Sequence, residues 1–272
     1  MKLFIVVVLA CLAAAQAREI SYQSILPVRE SPRSARIVNG FPAAPGQFPY
    51  QVFLSGQTAG GNLACGGSLI SAEWVLTAAH CQVNVIQFTV RAGTTNINEG
   101  VVRTSNLIVI HPAYNPSNLN NDIGLIRLSE PVPLGGNIQA VALPAADLSE
   151  TFLNREATVS GFGRTSDSIP TISTTLNFVH LNIISNIQCM GTYGAATIID
   201  STVCAVGRDA ANQGTCNGDS GGPLTITENG QSVQIGVVSF VAAVGCEAGF
   251  PSGYVRTTHF RDWIRDQSGI KY

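Results

Sequence analysis

Short apolar runs rich in β-branched residues recur along this chain, with Gly, Asn and Pro between them. They fall at 50–54, 69–70, 89–90, 101–102, 107–110, 125–128 and 157–159, and again at 175–181, 203–205, 224–227 and 233–240. Runs this brief, punctuated by turn residues, read as the strands of an all-β barrel or sandwich. The 27 glycines and 13 prolines supply the turns. Helical spacing is confined to the tail, 259–267, where Phe260, Trp263 and Ile264 share one face. With 272 residues, 45% of them hydrophobic, the chain can fill one large all-β domain or two small ones that share an interface.

The front end reads as targeting and processing sequence. Met1-Lys2 is a positive start, 3–15 is apolar, and Ala15-Gln16-Ala17 has the small-x-small form of a cleavage site. Residues 1–17 are therefore expected to be a secretory signal peptide, too short to span a bilayer, which takes roughly 20 apolar residues. No later segment is long and apolar enough for a membrane span, so a secreted, extracellular protein is expected. Residues 18–36 carry four Arg against two Glu, with Pro27 and Pro32 breaking any helix.

Residues 37–272 contain ten Lys+Arg and fifteen Asp+Glu, so 10 − 15 = −5, and no basic run. Such a chain gives no reason to expect a nucleic-acid partner. Six cysteines lie outside the signal segment; in an exported chain an even number implies disulfides, for which sequence alone allows fifteen pairings.

The chemistry is concentrated in Asn217-Gly218-Asp219-Ser220-Gly221-Gly222-Pro223. Glycines on both sides of a serine allow a tight turn that exposes the hydroxyl and gathers backbone N–H groups. A serine hydroxyl needs a base to become a nucleophile at neutral pH. His80, in Thr77-Ala78-Ala79-His80-Cys81, is a candidate base, and Asp122, in Asn120-Asn121-Asp122-Ile123-Gly124-Leu125, a candidate carboxylate to orient it. His80, Asp122, Ser220 is one of three chain orders in which this triad recurs. His111, His180 and His259 read as surface or framework residues. No histidine pair has metal-ligand spacing, so no metal and no cofactor are expected.

Ordered along one chain are Ile37-Val38-Asn39-Gly40, Cys65-Gly66-Gly67-Ser68, the two segments around His80 and Asp122, the serine segment, and Ser239-Phe240 followed by Gly245-Cys246. In this the sequence resembles the trypsin/chymotrypsin family of serine endopeptidases from Ile37 to Tyr272. The resemblance implies two six-stranded antiparallel β-barrels with a C-terminal helix, joined by a linker near 140–155. It implies a catalytic triad of His80, Asp122 and Ser220, with an oxyanion hole from the backbone N–H groups of Gly218 and Ser220. It selects the pairings Cys65–Cys81, Cys189–Cys204 and Cys216–Cys246. It further implies that 18–36 is an activation propeptide, cleaved between Arg36 and Ile37 by a trypsin-like protease. The freed Ile37 ammonium would then pair with Asp219. Lacking a cysteine, the propeptide is expected to be lost after cleavage. The family's calcium loop would fall at 93–100, where Thr94 replaces a glutamate.

By the same resemblance Gly214 forms the base of the primary pocket, with Thr215 beside it, and Ser239, Phe240, Val241 and Ser252 line it. Trypsin-like members carry an aspartate at the base, so Gly214 implies uncharged side chains before the cut, and Val241 a narrowed, elastase-like slot. Chymotrypsin-like selectivity for Phe, Tyr or Leu is the alternative. Phe240 and Gly245-Cys246-Glu247-Ala248-Gly249 resemble invertebrate chymotrypsin and collagenase-like members. The implied partners are protein or peptide substrates, the activating protease and protein protease inhibitors. A digestive enzyme, in a digestive-tract lumen, is the role expected. Alternatives are a cascade or venom protease, or an inactive homologue acting as a binding module.

Overall fold

The computed structural model describes residues 23–27, 37–145 and 151–271. The signal segment 1–17, Arg36 and the centre of the expected linker (146–150) therefore lie outside the described residues, as does all of 18–36 except 23–27. Two short strands come first, β1 (Ile25–Pro27) and β2 (Phe41–Pro42).

The first half then runs through β3 (Gln51–Thr58), β4 (Gly61–Leu69), β5 (Trp74–Thr77), β6 (Gln87–Ala92), β7 (Val101–Ser105), β8 (Leu107–Ile110) and β9 (Gly124–Arg127). Their sheet order is β7-β6-β3-β4-β5-β9-β8. Its two ends, β7 and β8, are consecutive pieces of one strand broken at Asn106, so the sheet curls back on itself. At the break the Ser105 hydroxyl donates to the Arg127 carbonyl and accepts from the Leu107 N–H at 3.0 Å. These bonds satisfy backbone groups that the bend takes out of the ladder. Alternate residues of these strands, among them Val52, Leu54, Val90 and Leu125, fill the interior.

The second half contains β10 (Glu156–Gly161), β11 (Asn177–Ile184), α1 (Asn186–Tyr193), β12 (Thr202–Gly207), β13 (Pro223–Glu228), β14 (Gln231–Ala242) and β15 (Ser252–Arg256). Strands follow the order β14-β13-β10-β11-β12-β15, and β14 also pairs with β15, closing a six-stranded barrel. Val159, Leu181, Val203, Leu224, Ile235 and Tyr254 pack inside it together with Ile37. β1 adds to the edge of β14, and β2 pairs with β11.

One expectation needs correction. Helical spacing was read only in the tail, yet α1 is a helix of eight residues. It buries only Cys189 and Tyr193, too few for a visible period. Its start is set locally by a capping box. The Gln188 N–H donates to the Ser185 hydroxyl at 3.2 Å, and the Gln188 side chain accepts from the Ser185 N–H at 3.1 Å. The tail helix itself, α2 (Arg261–Ser268), follows a 3₁₀ turn at Thr257–Phe260, so His259 precedes it. Phe260 and Ile264 are buried in the core of the first half, and Trp263 packs against it. The His111 ring sits 5.0 Å from both the Phe260 and the Trp263 ring. The end of the chain thus clasps the half it does not belong to.

Three disulfides are formed, Cys65–Cys81, Cys189–Cys204 and Cys216–Cys246, spanning 16, 15 and 30 residues. Loop-closure entropy puts each at roughly 3–4 kcal/mol. Their sum is comparable with the whole stability of an ordinary domain, about 5–15 kcal/mol.

Candidate active site

His80 lies in the turn after β5, Asp122 just before β9, and Ser220 in the turn that precedes β13. His80 Nδ1 is 2.6 Å from Asp122 Oδ2, and His80 Nε2 is 2.9 Å from the Ser220 hydroxyl. The fold therefore brings side chains 140 positions apart into one hydrogen-bonded row. Asp122 is fully buried, which is costly for a carboxylate unless its lone pairs are occupied. The backbone N–H of His80 donates to Oδ1 at 2.8 Å, and the Ser239 hydroxyl donates to Oδ2 at 2.6 Å. Those two donors hold the carboxylate facing the ring. The Cys65–Cys81 bond anchors the residue after His80 to β4.

The serine turn is fixed just as closely. The Gly66 N–H donates to the Ser220 carbonyl at 2.7 Å, and the Gly221 N–H to the Val238 carbonyl at 2.9 Å. Gly218 has φ 95°, a left-handed conformation that a side chain would strain. Asp219 points the opposite way from the serine, into the second half, and is fully buried. Its Oδ1 accepts from the Gly163 N–H at 2.6 Å and its Oδ2 from the Cys216 N–H at 3.0 Å. Burial outweighs those bonds and pushes its carboxyl up to about 8. A Cβ on Gly163 would fall 2.0 Å from the Asp219 carboxyl carbon, so only glycine allows this approach. Ile37 is also buried, and the Val38 N–H donates to the Gly214 carbonyl at 3.0 Å.

Around the expected pocket, Gly214 faces open space: a Cβ there would meet nothing within 4 Å. Thr215, Ser239 and Ser252 are buried, and the Ser252 hydroxyl is 2.8 Å from the Tyr254 hydroxyl. Burial raises the Tyr254 phenol well above its usual range, so it is a neutral group here. Val241 is buried. Phe240 faces away from this floor, into a cluster with Leu119, Tyr193 and the Cys189–Cys204 bond. Its ring packs against Gly253, leaving no room for a side chain there.

Sequence reasoning did not single out Tyr254, Gly163 or the bond from Ser239 to Asp122. It also missed a clamp behind the Cys216–Cys246 disulfide. Asp167 accepts from the Cys246 and Glu247 N–H groups, each at 3.0 Å, and the Glu247 carboxylate accepts from the Asp167 N–H at 2.7 Å. The motif around Ser220 could have pointed to Gly163 only through a charge that needs a buried donor. The clamp had no signal in the sequence. Among the described residues, the groups of potential metal ligands, such as Cys65, His80 and Cys81, draw on disulfide sulfurs, which are not available as thiolates.

A protein-family profile described as Trypsin matches residues 37–264. Brachyurin of Leptuca pugilator is 41% identical over 238 residues, covering 86% of this chain and 99% of that protein. Collagenase of Hypoderma lineatum is 38% identical over 244 residues, covering 88% of this chain and 89% of that one. A solved structure described as HL collagenase superposes with a TM-score of 0.80 at 38% identity, over 87% of this chain and 100% of that chain.

Proposed function

Because the chain belongs to the trypsin family of serine endopeptidases, hydrolases that act on protein substrates, we propose a specific way in which it works. Residues 37–272 form the protease domain. Ser220 attacks the carbonyl of the scissile peptide while His80 takes its proton, giving a tetrahedral intermediate. His80 then returns the proton to the leaving amine as the C–N bond breaks, which leaves an acyl-enzyme on Ser220. Water, deprotonated by His80, attacks that ester in turn, and Ser220 leaves with the proton. Asp122 keeps the imidazole in the required tautomer and stabilises the imidazolium. The N–H groups of Gly218 and Ser220 receive the oxyanion, where one donor is worth about 2.7–4 kcal/mol. The observation that carries this reading is the 2.9 Å approach of His80 Nε2 to the Ser220 hydroxyl, with Asp122 behind the ring.

Residues 1–17 direct export and 18–36 hold the enzyme as a zymogen. A trypsin-like protease cuts after Arg36, and the freed Ile37 ammonium meets the Asp219 carboxylate. The burial of both residues supports this assignment. An oxidising extracellular compartment suits a fold whose three disulfides rival its remaining stability. Protein protease inhibitors that present an extended loop would fit the same cleft. A digestive role follows the family resemblance.

The pocket takes uncharged side chains, because Gly214 offers no carboxylate and the Ser252 and Tyr254 hydroxyls satisfy each other. Small and medium aliphatic residues are preferred, since Val241 narrows the slot. A hydrophobic pocket discriminates by only about 1–3 kcal/mol per methylene, so the preference is broad. The test is a panel of para-nitroanilide peptides that differ only in the residue before the cut, run on protein processed after Arg36. Ala, Val and Leu substrates are expected to be hydrolysed faster than Arg or Lys ones. Faster cleavage after Arg or Lys would overturn the assignment.

A further inference from the structure

β1 lies antiparallel to the end of β14, with Ile25 opposite Ala242, Leu26 opposite Val241 and Pro27 opposite Phe240. Two further bonds continue the contact. The Ala243 N–H donates to the Ser24 carbonyl at 3.1 Å, and the Gln23 N–H donates to the Thr192 carbonyl at 2.7 Å. Hydrogen-bonded and non-bonded pairs alternate in an antiparallel ladder. With Ser24 and Ala243 a bonded pair, Leu26 and Val241 are the next one. Pro27, which has no N–H to give, falls at a non-bonded position opposite Phe240, where none is needed.

The direction of β1 matters as much as its register. It advances from Ala242 towards Phe240, and the next residue of β14 in that direction is Ser239, which bonds Asp122. The segment therefore runs along the site's edge towards the His80–Ser220 pair. Ile25 is half-buried against the cluster that contains Leu119, Tyr193 and Phe240. Leu119 comes from the same loop as Asp122.

We propose that residues 24–27 are a substrate-like occupant of the β14 edge, held by backbone pairing, and that this segment competes with polypeptide substrates for it. The proposal rests on reading the site as a protease cleft. Residues 18–36 contain no cysteine, so no disulfide retains the segment once Arg36 is cut. While the chain is intact the segment acts at an effective concentration of about millimolar. After cleavage its occupancy falls with dilution, so unmasking of the cleft is reversible and depends on concentration.

The experiment uses an acetylated, amidated peptide of residues 22–27 (Tyr-Gln-Ser-Ile-Leu-Pro), added at up to about 1 mM to the processed enzyme. KM for an uncharged nitroanilide substrate is expected to rise at least twofold with kcat unchanged. A peptide carrying Ile25→Asp should lose the effect. In parallel, processed Ser220→Ala protein is followed by amide hydrogen exchange, where the peptide should protect Val241 and Ala243. Turnover that continues with KM unmoved, and with both amides unprotected, overturns this proposal alone. Protection of both amides in the Ser220→Ala protein, alongside processed wild-type protein that hydrolyses nothing, upholds the pairing and instead sinks the protease reading.

Discussion

The Ser239 hydroxyl donates a 2.6 Å hydrogen bond to Oδ2 of Asp122, the same oxygen that faces the His80 ring. A residue read from sequence as a pocket wall is thus also a support for the candidate triad. Three donors converge on one buried carboxylate, and each limits how far it can turn.

Ser239→Ala removes one of those donors and leaves the backbone in place. Hydrogen bonds to charged groups are worth about 1.5–3 kcal/mol, and the two remaining donors keep the loss near the lower end. The expected result is roughly a tenfold fall in kcat with KM little changed, since Ser239 acts through Asp122 and not on the substrate. Steady-state kinetics on an uncharged nitroanilide checks it. A rise in KM at constant kcat would make Ser239 a pocket residue only.

Gly214→Asp tests the pocket in the opposite direction. The glycine's Cβ position is open, so the new side chain can enter without displacing a neighbour. It would place a carboxylate beside Thr215 in a partly dry site, where an opposite charge on the substrate is favoured. The ratio of Arg to Leu hydrolysis, compared as kcat/KM, is expected to rise at least tenfold. An unchanged ratio in a variant that still cuts the Leu substrate would mean that Gly214 does not face the bound side chain.

Much of this arrangement was legible in the sequence because the local signals agree. The runs at 107–110 and 157–159 became β8 and part of β10, and the segments around His80, Asp122 and Ser220 meet in one row. What escaped notice depends on contacts between distant positions. β5 and β15 went unread because Trp74–Thr77 and Ser252–Arg256 owe their conformation to ladder partners. β1 is clearer still: an Ile-Leu-Pro stretch has no strand pattern of its own, and only the edge of β14 gives it one. The approach of Gly163 to Asp219 is of the same kind, being a fact about two loops 56 residues apart.

Burial pushes the Asp219 carboxyl up to about 8, against 3.8 for a free one. A group that binds its proton more tightly when folded makes folding take up a proton. Stability contributed this way is fully present below about pH 4 and is lost as pH rises towards 8. The uncleaved chain should show this, because its Ile37 nitrogen is an amide and carries no charge. In Arg36→Gln protein, which a trypsin-like enzyme cannot process, Tm is expected to fall between pH 5 and 8. The added change Asp219→Asn should flatten that slope, since the amide cannot ionise. In processed wild-type protein the Ile37 ammonium would favour the carboxylate, and the slope should shrink there too. Thermal unfolding of the three proteins across that pH range decides the matter. Equal slopes in all three would separate Asp219 from the activation step, and the freed amino terminus would then need a different partner.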